Sequence, residues 1–430
     1  MLSKHKIHNI KGRMVFDSRG IPTIEAEVKL NNGIIEKAIA PSGASKGKNE
    51  ALEKRDNLKK YFGLSVDKNI KDINSLVNNS LVGELIFDQR KIDNILINLA
   101  GNQNKSIIGA NTTIAVSMAC LKAAAKSEKK SLWQYLNNEK KNLLLPIPQV
   151  QIFGGGAHAA NYLPIQDFLI IPNGAKNFYQ AMEWVFKIYR CAYEELNSKN
   201  LLRGVADEGG YWPSFNKADD VLQFLTKIIE KSGFRLLKDV SIALDVAGNN
   251  FRNKLGYNLY KNKFSSAEEL LDILLYWLNK FPIISIEDPF SEEDKTYFKI
   301  LKKSAPRYLQ VVGDDLVVTN KKLIKKAFDM DSINSVLIKP NQIGTISETY
   351  EAFNCSKSLG LINIISARSG ETEDVTISDL SVGWQSNQIK VGSFSRSERL
   401  AKWNQCLRIG EELNNSYLMH TNSFLKWNKL

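Results

Sequence analysis

The chain has 430 residues, 43% of them hydrophobic and 24% charged, a composition typical of a globular protein with more than one domain. No uninterrupted apolar run reaches the ~18 residues of a membrane helix, and the basic start MLSKHKIHNIKGR predicts no secretory signal. The net charge of +12 could attract nucleic acid, anionic lipid or an anionic substrate. Because the lysines are dispersed and no nucleic-acid-binding motif occurs, nucleic-acid binding is disfavoured. Scattered cysteines indicate reduced thiols and a cytoplasmic protein.

The first part of the chain combines a strand pattern with helical patterns. Residues 13–40 alternate between apolar and polar side chains around an Asn-Asn-Gly turn at 31–33, which predicts a β-meander. Helical patterns continue to about residue 135 and include ANTTIAVSMACLKAAAKS, whose face of small side chains predicts close packing. We therefore expect a small α+β domain at residues 1–138 and a second domain at residues 139–430.

From about residue 143, short apolar strands alternate with amphipathic helices. Six of these strands end in polar residues, about one strand–helix unit apart: Asp245, Glu287 and Asp288, Asp314 and Asp315, Lys339, Arg368, and Lys390. Charged residues at successive strand ends are typical of a TIM-type (βα)8 barrel, whose site lies at the carboxyl rim. A doubly wound sheet is the alternative, but the glycine-rich stretch FGGGAHAAN lacks the dinucleotide-binding pattern. The pattern favours the barrel.

Three acids on consecutive predicted strands indicate a metal site. A barrel would place Asp245, Glu287 and Asp314 close together, and their mutual repulsion would require a neighbouring cation. Oxygen ligands without cysteine or histidine favour Mg²⁺ over zinc. The alternative is that each acid caps a helix or pairs with a surface lysine.

Two further residues suit proton transfer. Lys339 follows an apolar strand, and a nearby metal and Lys390 are expected to lower its pKa and make it a general base. Glu208, in RGVADEGGYWP, precedes two glycines that allow close backbone approach. A carboxyl group opposite a lysine can protonate a leaving group while the lysine removes a proton from the next carbon. The alternative for Lys339 is a lysine that bridges the acids without titrating.

Arg368, Ser369 and Gly370 end the strand IISARSGETED and predict an anion site. Part of this stretch is one of eight strings that resemble the enolase (phosphopyruvate hydratase) family and follow the family's order from about residue 10 to 413. The strings are DSRGIPTIEAEV, APSGAS, VADEGGY, SIEDPF, GDDL, LIKPNQIG, RSGETEDVTISDL and QIKVGSFSRSER. The resemblance implies a capping domain, a mixed (βα)8 barrel, two Mg²⁺ ions and a homodimer. It also implies the reversible dehydration of 2-phosphoglycerate to phosphoenolpyruvate, and it makes phosphate the simplest anion for Arg368.

The resemblance assigns roles residue by residue. It implies metal ligands at Asp245, Glu287 and Asp314, with Ser45 on a mobile loop for the second ion. It implies Lys339 as the base, Glu208 as the acid, and His158 on another closing loop as a further catalytic residue. Substrate contacts would come from Gln166, Asp167, Arg368, Ser369 and Lys390. Arg19 and Glu411 match positions of an ion pair between subunits.

Five residues depart from the family pattern near this site. Ala367 replaces a histidine, Asp167 a glutamate, Lys46 a threonine, Gly154 an asparagine, and Ala160 an acid. The metal ligands and the residues predicted to transfer protons are unchanged. An enolase with ordinary or reduced activity is therefore one interpretation. The alternatives are a paralogue acting on a related phospho- or phosphono-carboxylate and a catalytically weak binding protein.

Overall fold

The computed structural model describes residues 2–44, 47–101, 104–137, 143–260, 263–414, 417–420 and 427. Its first sheet has the antiparallel order β1-β2-β3, formed by β1 (Ile7–Phe16), β2 (Pro22–Leu30) and β3 (Ile35–Ile39). A tight turn at 31–33 joins β2 to β3, with Gly33 N–H donating to Leu30 O at 3.0 Å. The predicted meander is confirmed, although β1 begins at Ile7 rather than near residue 13.

Five helices follow this sheet along the chain. They are α1 (Asp67–Asp72), α2 (Asn78–Leu81), α3 (Gln89–Ala100), α4 (Ala110–Ser127) and α5 (Leu132–Leu136), and a π-helical turn, Ile73–Val77, joins α1 to α2. Helix α4 packs against β2 and β3 and is buried on almost every side. Its alanines allow that close approach because they add little side-chain volume. The predicted domain boundary between residues 138 and 139 lies in the stretch 138–142, outside the described residues.

The remaining strands are β4 (Ile147–Gly154), β5 (Asp167–Ile171), β6 (Leu202–Val205), β7 (Tyr211–Pro213), β8 (Ser241–Asp245), β9 (Arg252–Asn253), β10 (Gly256–Tyr260), β11 (Lys263–Ser265), β12 (Ile283–Glu287), β13 (Gln310–Gly313), β14 (Ser335–Ile338), β15 (Ile362–Ser366) and β16 (Gln388–Gly392). Eight of them (β4, β5, β8 and β12 to β16) form a barrel, closed by pairing between β16 and β4. The predicted (βα)8 barrel preceded by an α+β domain is therefore confirmed.

Helices α6 to α14 lie between or after these strands: α6 (Phe178–Ser198), α7 (Ala218–Lys231), α8 (Ala267–Lys280), α9 (Lys295–Ser304), α10 (Lys321–Asp329), α11 (Pro340–Ile343), α12 (Ile346–Ser358), α13 (Thr376–Gly383) and α14 (Ser397–Glu412). Short 3-10 helices span Leu2–His5, Lys60–Gly63, Gly156–Ala159 and Gly248–Phe251. None of the helices in the described ranges is both long and apolar enough to cross a membrane.

One barrel strand runs in the opposite direction to the other seven. Strand β5 is antiparallel to both β4 and β8, and its first residue, Asp167, is level with Gly154 and Asp245. The start of β5 therefore lies at the same rim as the carboxyl ends of the parallel strands. Because that rim carries the site in barrels of this kind, the reversed strand can contribute residues from its beginning.

The barrel interior also contains a cluster of buried polar side chains. Gln149 donates to Gln388, and Gln388 Nε2 donates to Gln310 Oε1 at 3.1 Å. All three side chains are buried, so hydrogen bonds to one another offset the cost of removing their amides from water.

Candidate active site

Two of the predicted metal ligands meet at one lysine. Asp245 and Glu287 end the neighbouring strands β8 and β12 and are level with each other. Lys390 Nζ, from β16, lies 2.8 Å from Asp245 Oδ2 and 2.7 Å from Glu287 Oε2. All three side chains are buried. Such a cluster is stable only when the buried charges of opposite sign compensate one another.

Glu287 retains an oxygen atom that could hold a cation. Its Oε1 atom is buried and has no hydrogen-bond partner within the described part of the chain. Burial raises the pKa of Glu287 well above its usual range, and the carboxylates of Asp245 and Asp314 add to that rise against the opposing effect of Lys390. A divalent cation would relieve this excess of negative charge. The all-oxygen donor set of Asp245, Glu287 and Asp314 fits Mg²⁺.

Asp314 also belongs to a second group of acids. Oxygen atoms of Asp288, Asp314 and Asp315 lie within 4.8 Å of one another and could hold a metal ion. The Asp288 carboxylate accepts hydrogen bonds from the backbone N–H groups of Asp314 and Asp315, at 3.0 and 2.6 Å. Burial and the adjacent Asp314 carboxylate raise the pKa of Asp315 to about 7. Asp288 thus also fixes the turn that presents Asp314.

Lys339 lies directly after β14 and forms a short ion pair with Asp314. Its backbone N–H donates to Thr319 Oγ1 at 2.9 Å. Burial tends to lower the pKa of Lys339, but the carboxylates of Asp314 and Glu287 outweigh it and raise that pKa. The direct contact with Asp314 accounts for this raised pKa, whereas the expected fall in the pKa of Lys339 depends on a bound metal beside it and stays a prediction.

His158 links the two acids on the other side of the rim. In its short 3-10 helix, His158 Nδ1 lies 2.9 Å from Asp167 Oδ1, and Nε2 lies 3.7 Å from Glu208 Oε1. Burial tends to lower the pKa of His158, but the carboxylates of Asp167 and Glu208 outweigh it and raise that pKa to about 9.

Glu208 is suited to carry a proton. Burial raises its pKa, and the negative charge of Asp167 adds to the rise while His158 opposes it. A raised pKa favours the protonated form, which a proton donor requires. The structure therefore supplies a chemical basis for the predicted acid role of Glu208.

Gln166, just before β5, contacts the metal side of the rim. Its Nε2 atom donates to Asp245 Oδ2 at 3.0 Å, and its Oε1 atom accepts from Asn250 at 3.0 Å. Both hydrogen-bonding ends of the amide are therefore used, which fixes its orientation.

The predicted phosphate-binding residues are also buried at the rim. Arg368 donates to both oxygens of Glu50 at 3.1–3.3 Å and to Asn341 Oδ1 at 3.0 Å. Ser369 Oγ accepts from the Ala44 N–H at 2.6 Å. An anion bound at Arg368 would therefore compete with the Glu50 carboxylate. The fully buried Arg399 supports the loop from beneath by donating to the backbone oxygens of Arg368 and Ser369.

A small polar cavity joins these groups. It is lined by Gly43, His158, Gln166, Glu208, Asp245, Lys339, Ser366, Ala367, Arg368, Ser369, Lys390, Val391 and Gly392. Asp167, Glu287 and Asp314 contact lining residues from behind. The position of Ala367 in the lining leaves a methyl group where the family resemblance implies an imidazole.

Two predicted positions, Ser45 and Lys46, lie outside the described residues. Arg19 donates to Asp17 Oδ2 at 3.3 Å and to Ser42 O at 3.2 Å, and Glu411 is exposed on α14. These contacts lie within one chain, so the predicted intersubunit pairing of Arg19 and Glu411 stays a prediction.

Sequence reasoning missed several residues that contact the predicted site, and two of them bond to its charged groups on opposite sides. Gln151 donates to Asp167 from within β4, and Glu50 pairs with Arg368. Gln149 and Gln151 are two residues apart in an otherwise apolar strand, so they were recognisable as inward-facing polar side chains. Glu50 carried no comparable local pattern.

Comparisons with known proteins agree with this geometry. The family model described as "Enolase, N-terminal domain" matches residues 7–136, and "Enolase, C-terminal TIM barrel domain" matches residues 142–428. The curated enolase of Pelagibacter ubique is 48% identical over 95% of this chain and 97% of its own length. The enolases of Ehrlichia canis and Ehrlichia ruminantium are 44% and 43% identical over 97% and 96% of this chain, and over 99% and 97% of their own lengths. By the family models and by its identity to these relatives, the chain belongs to the enolase family.

Proposed function

We propose that the chain catalyses the reversible, Mg²⁺-dependent dehydration of 2-phosphoglycerate to phosphoenolpyruvate, a step of glycolysis. It is a carbon–oxygen lyase of the phosphopyruvate hydratase type. The observation that carries the proposal is one buried cavity lined by a lysine, an acid and an arginine: Lys339, Glu208 and Arg368. The chemistry needs a base, a proton donor and an anion-binding group in a single pocket.

In the proposed reaction, Lys339 removes the proton from the carbon next to the substrate carboxylate. Lys339 must first give up the proton that its ion pair with Asp314 stabilises. A bound divalent cation would supply the positive charge that makes this carbon acidic, by stabilising negative charge on the carboxylate. Asp245, Glu287 and Asp314 would hold that cation.

Glu208 then gives a proton to the departing hydroxyl group, and water leaves. The raised pKa of Glu208 supports this role. His158, at 3.7 Å from Glu208, would orient the donor and balance its charge after transfer. Asp167 would in turn hold the other nitrogen of His158.

The substrate's two anionic groups are assigned to separate basic side chains. Lys390 would bind the carboxylate, with Gln166 beside it, and Arg368 and Ser369 would bind the phosphate. Burial of Lys390 and Arg368 supports this assignment, because charged hydrogen bonds are stronger where water is excluded. Phosphate binding would require Glu50 to leave Arg368.

Four further features belong to the same proposal. The second Mg²⁺ ion would bind with help from Ser45. Two copies of the chain would pair through Arg19 and Glu411, and the buried Arg19 Nε, which has no hydrogen-bond partner in the described ranges, supports an additional acceptor there. We also propose a cytoplasmic location, as expected of a glycolytic step, and domains at residues 1–138 and 139–430.

The test is an assay of purified protein with Mg²⁺ and 2-phosphoglycerate, which monitors the ultraviolet absorbance of phosphoenolpyruvate. Wild-type protein should form product, and Lys339→Ala should lower turnover by about 10²–10⁴-fold or more, since it removes a general base. Lys105→Ala is the matched control, because Lys105 is also a buried lysine paired with one acid, Glu348, at 2.9 Å but does not line the cavity. Absence of product over a wide range of pH and Mg²⁺ concentration would contradict the proposal.

A further inference from the structure

Gln151 connects the two strands and the loop that carry the acid side of the site. It lies in β4 and is fully buried. Its Nε2 atom donates to Asp167 Oδ1, and its Oε1 atom accepts from the Gly210 N–H at 2.8 Å. One amide therefore joins the start of β5 to the glycine pair that follows Glu208.

These contacts complete a closed ring of hydrogen bonds and ion pairs. Asp167 Oδ1 contacts both Gln151 and His158, and His158 Nε2 faces Glu208. The backbone joins Glu208 to Gly210, whose N–H group donates to Gln151 and completes the ring. The position of the Glu208 carboxyl group is thus fixed from two sides, by His158 at its oxygen and by Gln151 through its loop.

The glycines around Gln151 leave no space for larger residues. A Cβ atom on Gly210 would lie 2.4 Å from Gln151 Oε1. A Cβ atom on Gly154 would lie 2.5 Å from the Cβ of Ala206 and 3.4 Å from Gln151 Nε2. Separations below 3.0 Å would force one of the groups to move. The asparagine that the family resemblance implies at position 154 would therefore not fit this arrangement.

The length of Gln151 matters because Asp167 is short. The resemblance implies a glutamate at position 167, and aspartate is shorter by one methylene. Asp167 nevertheless contacts His158 at 2.9 Å, and the long side chain of Gln151 reaches the same Asp167 oxygen from β4. The departures at positions 154 and 167 are thus in contact with the same side chain.

We propose that Gln151 is a positioning residue for the proton donor Glu208, and that its length is matched to the shortened Asp167. The inference rests on the proposed function, which assigns Glu208 its role. It implies that the departures at Gly154 and Asp167 form one coupled adjustment of the acid side. A misplacement of about 1 Å in such a group can cost up to about 100-fold in rate.

A double-mutant cycle tests the length match. Gln151→Asn shortens the first side chain, and Asp167→Glu lengthens the second. Each single variant is expected to lower kcat by about tenfold or more with a smaller change in KM, because positioning of the donor affects the chemical step. The double variant, in which the lengths are exchanged, is expected to recover to within about threefold of wild type. Additive losses in the double variant would overturn the inference.

Two further variants separate positioning from packing. Gln149→Asn is the control, because Gln149 is a buried glutamine of the same strand that bonds to Gln388 away from the cavity. It should leave kcat within about threefold of wild type. Gln151→Met keeps the length but has no donor, so it should lose kcat and gain nothing from Asp167→Glu. If circular dichroism shows that Gln151→Asn does not fold, Gln151→Met takes its place in the test. An unchanged kcat of Gln151→Met would then overturn the inference.

A second measurement distinguishes failure of this inference from failure of the proposed function. Wild-type turnover of 2-phosphoglycerate tests the function, whatever the variants do. Exchange of the substrate's α-proton with deuterium oxide tests proton removal by Lys339 without the later step at Glu208. Gln151→Asn should retain that exchange within about threefold while dehydration falls, because Gln151 acts through Glu208. Equal loss of exchange and dehydration would mean that Gln151 supports the whole pocket and not the donor.

Discussion

The two sides of the cavity are built from different interactions. On the metal side, Asp245, Glu287 and Lys390 are held by contacts between buried opposite charges. On the acid side, His158 pairs with Asp167 and Glu208, and Gln151 adds a hydrogen bond from a neutral amide to Asp167, whose reach depends on side-chain length. Removing one member of a buried ion pair costs about 3–5 kcal/mol, whereas a hydrogen-bonded pair can exchange a methylene between its members. Two of the departures from the family pattern, at positions 154 and 167, lie beside Gln151 on the acid side.

Chelation of divalent cations should produce the largest effect. Treatment with EDTA is expected to reduce dehydration to background, because Asp245, Glu287 and Asp314 would otherwise repel one another and the substrate carboxylate. Addition of Mg²⁺ should restore activity, and Glu287→Gln should raise the Mg²⁺ concentration needed for half-maximal activity. Turnover that survives complete chelation would remove the distinction between a metal side and an acid side.

The next largest effect is expected for Glu208→Gln, which should affect the acid side of the cavity and leave the metal side working. We expect dehydration to fall by about 10²–10⁴-fold, because the variant cannot donate a proton to the leaving hydroxyl. Exchange of the substrate's α-proton, which depends on Lys339, should continue. Parallel assays of phosphoenolpyruvate formation and deuterium incorporation provide the measurement. Loss of both would indicate that the sides do not act independently.

Ala367→His tests the departure at the phosphate rim. An added hydrogen bond to a charged group contributes about 1.5–3 kcal/mol, so kcat/KM for 2-phosphoglycerate should rise by no more than about 10- to 100-fold. Steady-state kinetics of the variant and the wild type provide the comparison. A decrease would favour the alternative that the space beside Ala367 accepts a related phospho- or phosphono-carboxylate.

The last prediction concerns stability rather than turnover: His158→Gln should change how the free energy of unfolding depends on pH. The folded protein raises the pKa of His158 from about 6.5 to about 9, so its ion pairs stabilise the fold below pH 6.5, and that contribution is lost as the pH rises to about 9. The variant should therefore be less stable than wild type at pH 6, by on the order of 3 kcal/mol, and close to it at pH 9.5.

Urea unfolding at both pH values measures this difference. His420→Gln is the matched control, because burial lowers the pKa of His420 to about 4 and leaves it neutral throughout this range. Its effect on stability should be the same at pH 6 and pH 9.5. A His158→Gln difference that does not change with pH would contradict the ion-pair assignment.

Much of the rim could be predicted because its residues follow a simple rule. Asp245, Glu287 and Lys339 each end or follow a parallel strand, and the carboxyl ends of such strands share one rim. The same rule could not identify Asp167, since β5 is antiparallel and its rim residue is its first. The family resemblance, and not the strand pattern, identified that position.

The acid partner of Lys339 could not be predicted from residue order. The ion pair with Asp314 raises the pKa of Lys339, and the fall expected beside a metal and a second lysine stays a prediction. Strand order places the two residues at one rim without fixing which lysine pairs with which acid. Lys390 could equally have paired with Asp314, and only side-chain packing distinguishes these arrangements.

Closure of the barrel by β16 and β4 has a consequence for the order in which the protein folds. His158 and Asp167 are nine residues apart and meet within one hairpin, whereas Lys390 and Asp245 are 145 residues apart and meet only when the first and last strands of the barrel pair. Contacts distant in sequence form late, because a long loop must lose its entropy before they can be made. A ribosome-bound chain would therefore contain part of the acid side before any complete ion site exists.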